Sequence, residues 1–412
     1  MKQNVPNNQQ KKKKKAGSLF SRVSAWLHLW LGLISGIIMI IVCITGCIWV
    51  FNEEITSITE PQHNIPVREQ AILPPSAMAQ KAAEKYPTKT ISYITYREGK
   101  AAYVGLGQRR GGTTLRMNPY TGEIITATDA KKGQVDFFRW ILNGHRFLWM
   151  PYEIGRPIVN YSTLVFIITL ITGLVLWWPK KWNKSTRDAS FKIKWTATIK
   201  RVNYDLHNVL GFYSMIVLLA IGLTGMVWGI QWFSKGAYWL TSGGTSLPAY
   251  NNKIASDSTA TRNYTSFQAV DKSFHTVVLE NPRSTGFYVT FPDTTSGKSF
   301  ITLIAYPSKG KYYDHRNYAF DQFTTAKIQR GDFQDKSFEA SSFGTQLRRM
   351  NYDIHVGAVL GLPGKILAFF ASLIGATLPV TGFIIWWGKK KKQKKKPAAK
   401  QVAKATAERF SS

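Results

Sequence analysis

Residues 207–228 read HNVLGFYSMIVLLAIGLTGMVW. A histidine opens the stretch, no charged side chain follows it, and a Thr-Gly pair and a tryptophan close it. As a helix rising about 1.5 Å per residue, a run of this length crosses a hydrocarbon core of about 30 Å. The same landmarks stand at residues 28–49, HLWLGLISGIIMIIVCITGCIW, with the same seventeen-residue interval from histidine to threonine. A second pattern also occurs twice: His145, then Thr172-Gly173 and Trp177-Trp178; His355, then Thr381-Gly382 and Trp386-Trp387. The chain is therefore a duplicated helix pair.

Four apolar runs carry these landmarks, at residues 25–51, 158–178, 209–233 and 362–387, and only the last contains a charge, Lys365, placed where it can snorkel. The fold class expected is membrane α-helical: four transmembrane helices as two parallel-repeat helix pairs, each pair enclosing a small external α+β domain. Parallel repeats of this kind set equivalent positions opposite one another about the membrane normal.

A net charge of +31 is placed beside the spans, at residues 11–15, between the second and third runs, and from 389 onward. That placement excludes nucleic acid as the partner and points to membrane lipid. It also puts both termini and the middle loop in the cytoplasm of a bacterial inner membrane. The divisions expected are a basic tail (1–22), a first span (23–51), an external domain (52–139), a pre-span segment with the second span (140–178), a cytoplasmic loop (179–203), a third span (204–234), a second external α+β domain (235–346), a pre-span segment with the fourth span (347–387), and a basic tail (388–412). Both tails read as disordered. Cys43 and Cys47 sit in one span and read as small interior residues. The lipoprotein-like Ile44-Thr45-Gly46-Cys47 lies in a run far longer than a signal-peptide core.

In the external segments, residues 76–86 read as a helix and residues 91–96 and 101–106 as strands, before the turn Asn118-Pro119-Tyr120-Thr121-Gly122-Glu123. The later segment gives a helix near 266–275, strands near 286–291 and 299–306, and a similar turn without glycine at 320–328.

His28 and His207 lie inside the cytoplasmic ends of their spans, where an ionisable side chain is a functional hypothesis by default. Gly32 and Gly211 follow by four residues on the same face, removing bulk where a flat macrocycle can lie. Gly46 and Gly225 return to that face about 27 Å further along. His145 and His355 precede their spans, and a straight helix carries them above the membrane, so a short helix and a bend are expected to return them. Two histidine pairs, His28 with His207 and His145 with His355, suit two six-coordinate b-type haems, with these four side chains as axial ligands of the iron. Arg146 and Arg156 are candidate partners of haem propionates, alongside ordinary anchoring. No carboxylate or thiolate accompanies the pairs as a bare metal site requires. His63, His275 and His315 have no repeat partners and read as domain residues.

His28 with Gly32, the His145-Arg146 segment, residues 205–211 (DLHNVLG) and the Thr-Gly pairs ending in Trp-Trp together resemble the PepSY-associated transmembrane helix family. This family is also described as iron-regulated membrane proteins and includes inner-membrane ferric-siderophore reductases. Residues 118–125 resemble the PepSY turn, with Asn118 in place of its aspartate. The resemblance implies haem-dependent reduction of a periplasmic ferric siderophore or other iron chelate, with electrons from a quinol or a redox protein. It leaves open a second class, in which PepSY-like domains bind or regulate an external peptidase or ligand without electron transfer. A transporter would place polar groups through the spans, which are too apolar here.

Overall fold

The computed structural model describes residues 18–107, 112–129, 133–134, 136–249, 254–331 and 336–409. Among these, four helices are long and apolar enough to cross a membrane: Leu19–Val50, Tyr152–Trp177, Ile199–Gly229 and Ala358–Lys390. The chain forms two compact units. One comprises Met1–Ile37, Val165–Met215 and Thr377–Ser412; the other comprises Ile38–Leu164 and Ile216–Ala376.

In chain order the elements begin with α1 (Leu19–Val50), α2 (Asn52–Thr59) and α3 (Pro75–Lys85). Four strands follow, β1 (Ile91–Arg97), β2 (Ala102–Leu106), β3 (Thr113–Met117) and β4 (Ile124–Asp129), then α4 (Phe137–Phe147) and α5 (Tyr152–Trp177). The middle loop carries α6 (Lys184–Phe191) and α7 (Ile199–Asp205), the latter running through a π-helical turn, Leu206–Leu210, into α8 (Gly211–Gly229). Next come α9 (Gln231–Thr241), α10 (Ser266–Glu280), β5 (Gly286–Thr290), β6 (Phe300–Tyr306), β7 (Arg316–Asp321), α11 (Phe343–Arg349), α12 (Asn351–His355) and α13 (Gly361–Arg409).

The two external segments expected as separate domains share one seven-stranded sheet, in the order β4-β3-β2-β1-β5-β6-β7. The join is antiparallel, Ile94 opposite Val289 and Tyr96 opposite Phe287. Alone, each segment leaves an unpaired strand edge, and pairing β1 with β5 satisfies both. The cores merge for the same reason: Ile94, Val104 and Leu115 pack with Val289, Ile301 and Leu303 beneath Met78 of α3 and Val270 and Val277 of α10. Complete burial of one such side chain stabilises by about 1.5–3 kcal/mol, so separating the segments would be costly. The strands β3, β4 and β7 lie outside the stretches expected as strands, and 316–321 lacks clean alternation.

Both segments do contain the same turn. Asn118 Oδ1 accepts the amide of Tyr120 at 2.9 Å, and Asp321 Oδ1 accepts that of Phe323 at 2.8 Å. Gly122 has φ +74° and Thr325, at the matching place, φ +62°. The carboxylate of Asp321 also accepts the Thr324 amide and the amide of Asp257, which hold the turn in spite of the positive φ at Thr325.

The expected bends are present. Between α4 and α5, Leu148 and Trp149 both take φ +56°. Gly155 then lies so close to the Phe147 carbonyl that a Cβ would be 1.9 Å from it. Between α12 and α13, Gly357 (φ +77°) and Gly364 approach backbone to backbone. At the C-terminus the expected disorder gives way to helix through Arg409, in keeping with the helix propensity of its Lys, Ala and Gln residues. The basic residues 11–15 lie outside the described residues.

Trp177 is 8% exposed and Trp178 61%. Trp177 stacks on Phe212 with centroids 3.8 Å apart and donates to the Ser190 carbonyl, so it anchors α6. Cys43 and Cys47 are both buried, and the Cys47 thiol donates to the Phe369 carbonyl of α13.

Candidate functional site

In the first unit α1 supplies His28 and the π-helical turn supplies His207, with ring centroids 6.1 Å apart and planes at 82°. His28 Nδ1 lies 3.0 Å from the Thr169 carbonyl and 3.4 Å from Thr172 Oγ1. His207 Nδ1 lies 2.9 Å from Thr381 Oγ1 and also bonds the Leu378 carbonyl. The threonines are themselves anchored: Thr172 donates to Ile168 O and Thr381 to Thr377 O. Cβ atoms built on Gly173 and Gly382 would stand 3.0 and 3.2 Å from the Cε1 atoms of His28 and His207.

The second unit repeats the construction. His145, in the last turn of α4, and His355, at the end of α12, have centroids 6.0 Å apart and planes at 72°. His145 Nδ1 bonds Val42 O at 2.9 Å and meets Thr45 Oγ1; His355 Nδ1 bonds Ile221 O at 3.0 Å and meets Thr224 Oγ1. Cβ atoms built on Gly46 and Gly225 would stand 3.3 and 3.4 Å from the Cε1 atoms of His145 and His355. Every histidine therefore sits in the Thr-Gly notch of a neighbouring helix, bonded to the carbonyl three residues before the threonine.

That bond fixes the chemistry. A carbonyl only accepts, so Nδ1 carries the proton and Nε2 keeps its lone pair for a metal. Two metal–imidazole bonds of about 2 Å, with about 1 Å from each ring nitrogen to its centroid, place the centroids about 6 Å apart, as both pairs are. Two imidazoles with centroids this far apart, each with Nε2 unprotonated, could hold a haem iron between them.

The family profile described as the PepSY-associated TM region matches residues 25–389. The chain belongs to this family. All four histidines, all four Thr-Gly pairs and both external segments of this PepSY-associated protein fall inside the match. No curated protein matches the chain.

The expected glycine and arginine sites are placed differently from the histidines. A Cβ built on Gly32 would stand 3.5 Å from Thr169 Cγ2 and one on Gly211 3.4 Å from Leu378 Cδ2, so both stand at helix crossings beside the carbonyls that hold His28 and His207. Arg146 is exposed at the end of α4, next to His145. Arg156 donates to the Trp228 carbonyl at 2.6 Å, closing the C-terminus of α8.

Five further supports escaped the sequence reading, although one signal was legible. Residues 203–207 read NYDLH and residues 351–355 NYDIH. Asn203 donates to Thr381 O at 3.1 Å and Asn351 to Thr224 O at 3.0 Å. Each tethers its own helix to the notch that receives its histidine. Asp205, fully buried, accepts Arg201 and the Lys194 amide, tying the middle loop to the turn that carries His207. Asp353 accepts the Tyr312 amide from the external segment. The π turn at His207 is the fifth, and π turns have no composition by which to find them.

The unrepeated histidines lie on the turns and the helix that flank the seven-stranded sheet. His63 bonds Thr126 at 2.8 Å and Glu60 at 2.7 Å; burial, then the Arg116 charge, hold its pKa below the ordinary value. Burial likewise lowers that of His315, reinforced by Arg349 and opposed by its bond to the Tyr312 carbonyl. His275 is exposed on α10.

Proposed function

We propose that this protein is a di-haem transmembrane oxidoreductase of the bacterial inner membrane that reduces ferric chelates in the periplasm. In this reading the four spans form two parallel-repeat pairs, with the sheet outside and both termini in the cytoplasm. One haem is held by His28 and His207 and the other by His145 and His355, and electrons arrive from a quinol or a redox protein. Bound haem would supply one-electron chemistry; two axial imidazoles suit it to electron transfer rather than ligand activation. Reduction weakens the hold of a hard oxygen-donor chelator on iron, which releases the metal. The observation that carries the reading is the two histidine pairs, matched at 6.1 and 6.0 Å with Nδ1 engaged in all four rings.

This chain's residues fix ring orientation and protonation. The carbonyls of Thr169, Leu378, Val42 and Ile221 hold the proton on Nδ1, and the Thr-Gly notches admit each ring edge-on. Absorption and haem content of the purified protein test the proposal. The expected result is a Soret band, sharp reduced α and β bands, and about two haems per chain, with one lost in His28→Ala or His207→Ala and the other in His145→Ala or His355→Ala. A folded, colourless protein would refute it. Reoxidation of the dithionite-reduced protein by a ferric chelate tests the reaction.

A further inference from the structure

A 330 Å³ groove opens where α2 meets β1, β2 and the loop at 309–312. That volume suits a small ligand. Arg97, Lys100, Arg116, Lys309 and Lys311 line it against two carboxylates, Glu53 and Glu98. Among the described residues none of the five cations forms an ion pair with a carboxylate. Lys100 donates to Asn64 Oδ1 and Ser57 Oγ, Arg97 lies over the Tyr306 ring at 3.7 Å, and Arg116 lies over Tyr103 at 4.5 Å. Neutral acceptors and aromatic faces hold these charges in place without cancelling them. Glu53, in contrast, is engaged by the Tyr312 hydroxyl at 2.6 Å. The crowding also lowers the pKa of Lys100, through burial first and then through Lys309 and Arg116 against the opposing pull of Glu53.

The groove leads toward His355. A second cavity, of 90 Å³, shares Asn52, Glu53, Gly310 and Tyr312 with it and reaches Tyr352 and Val356. Rings make the same connection: His355 to Trp228 at 5.2 Å, Trp228 to Tyr352 at 6.2 Å, and Tyr352 to Tyr312 at 5.1 Å, the last forming a wall of the groove. A ligand here is joined to the second histidine pair by successive aromatic contacts.

We propose that this groove binds a polyanionic, carboxylate-rich metal chelate through Arg97, Lys100, Arg116, Lys309 and Lys311, and so selects acidic ferric chelates over neutral ones. The inference rests on the ferric-chelate reductase reading and names the substrate class of that protein. Fixed cations in a concave, partly desolvated site favour polyanions, and guanidinium groups match carboxylates bidentately.

The test is equilibrium binding of gallium(III) citrate to the full-length protein in phosphatidylcholine nanodiscs. Gallium(III) resembles iron(III) in size and charge but accepts no electron here, so binding is read apart from electron transfer. Gallium(III) citrate should bind at least tenfold more tightly than an uncharged gallium tris-hydroxamate. The Lys309→Gln/Lys311→Gln double variant, altered only at a surface loop, should lose at least tenfold, and Lys311→Arg should retain affinity. Affinity should fall as salt rises. Equal binding of both chelates, or unchanged affinity in the double variant, overturns the proposal. Loss of citrate binding in phosphatidylglycerol nanodiscs, relieved by the double variant, would make the groove a lipid-headgroup site and overturn it too. The absorption of the same samples separates the two readings. Citrate binding by a colourless protein supports the groove and refutes the oxidoreductase, and a Soret band without citrate binding does the reverse.

Discussion

Replacing Gly173 by alanine should expel His28 from its working position while leaving the fold intact. The added Cβ stands 3.0 Å from His28 Cε1. At that separation the ring must give way by a few tenths of an ångström. Metal–ligand distances tolerate about 0.2 Å, so under the di-haem proposal a retreat of this size would weaken the hold of His28 on the iron. Alanine also favours a helix over glycine by about 1 kcal/mol, so the thermal stability of the haem-free protein should be unchanged or raised in the variant. The expected content falls from about two haems per chain toward one, or a low-spin signal is replaced by a high-spin one, read by extracted haem per protein and by electron paramagnetic resonance. The effect should diminish through Gly382→Ala, Gly46→Ala and Gly225→Ala, whose Cβ atoms would stand 3.2, 3.3 and 3.4 Å from their histidines. Gly32→Ala, whose Cβ would stand 3.5 Å from a threonine methyl, is the control and should leave haem content and spin state unchanged. Two low-spin haems per chain in all four notch variants would refute the reasoning.

Thr381→Val keeps the Leu378 carbonyl but removes the hydroxyl 2.9 Å from His207 Nδ1, and should weaken haem retention at that pair about 10- to 100-fold, measured by transfer to apomyoglobin. Ile94→Ala removes a fully buried side chain at the seam of the sheet and should cost about 2–5 kcal/mol, with residues 91–106, 113–117 and 286–306 losing hydrogen-exchange protection together. His315 is held neutral by burial in the fold, so the unfolded chain takes up its proton first as pH falls through about 6.5. The stability it contributes is fully present above that pH and declines below it until the lower folded pKa is reached. His315→Gln should therefore flatten the fall in urea midpoint between pH 7 and 5.

The spans and the four histidines were legible because a membrane imposes length and apolarity, and because duplication repeats each landmark at fixed spacing. The bends near Trp149 and Gly357 could be inferred from where a straight helix would carry His145 and His355. The purpose of the Thr-Gly pairs was not legible. Gly46 looked like a cleared surface for a cofactor, whereas the ring of His145 fills it, a contact between residues about a hundred positions apart. The single sheet was hidden for a similar reason: β1 and β5 each read as a strand, but nothing in either sequence names its partner. The two Asn-Tyr-Asp-x-His strings were visible, but they link the third helix to the fourth and so cut across the first-to-third and second-to-fourth correspondence.

The central pairing of β1 with β5 has a further consequence. It is antiparallel, and the strands count outward from it on both sides in the same order. That is the seam of a two-fold dimer. The histidine pairs obey the same rule, since each takes one ring from either half of the chain, and each ring rests in a notch supplied by its own half. A single helix hairpin with half a sheet would already possess every part of both sites, and would complete them by meeting a copy of itself. Fusion of two such genes frees each half to diverge, as Thr325 has from Gly122, while the linker 179–203 guarantees that the partner is always present.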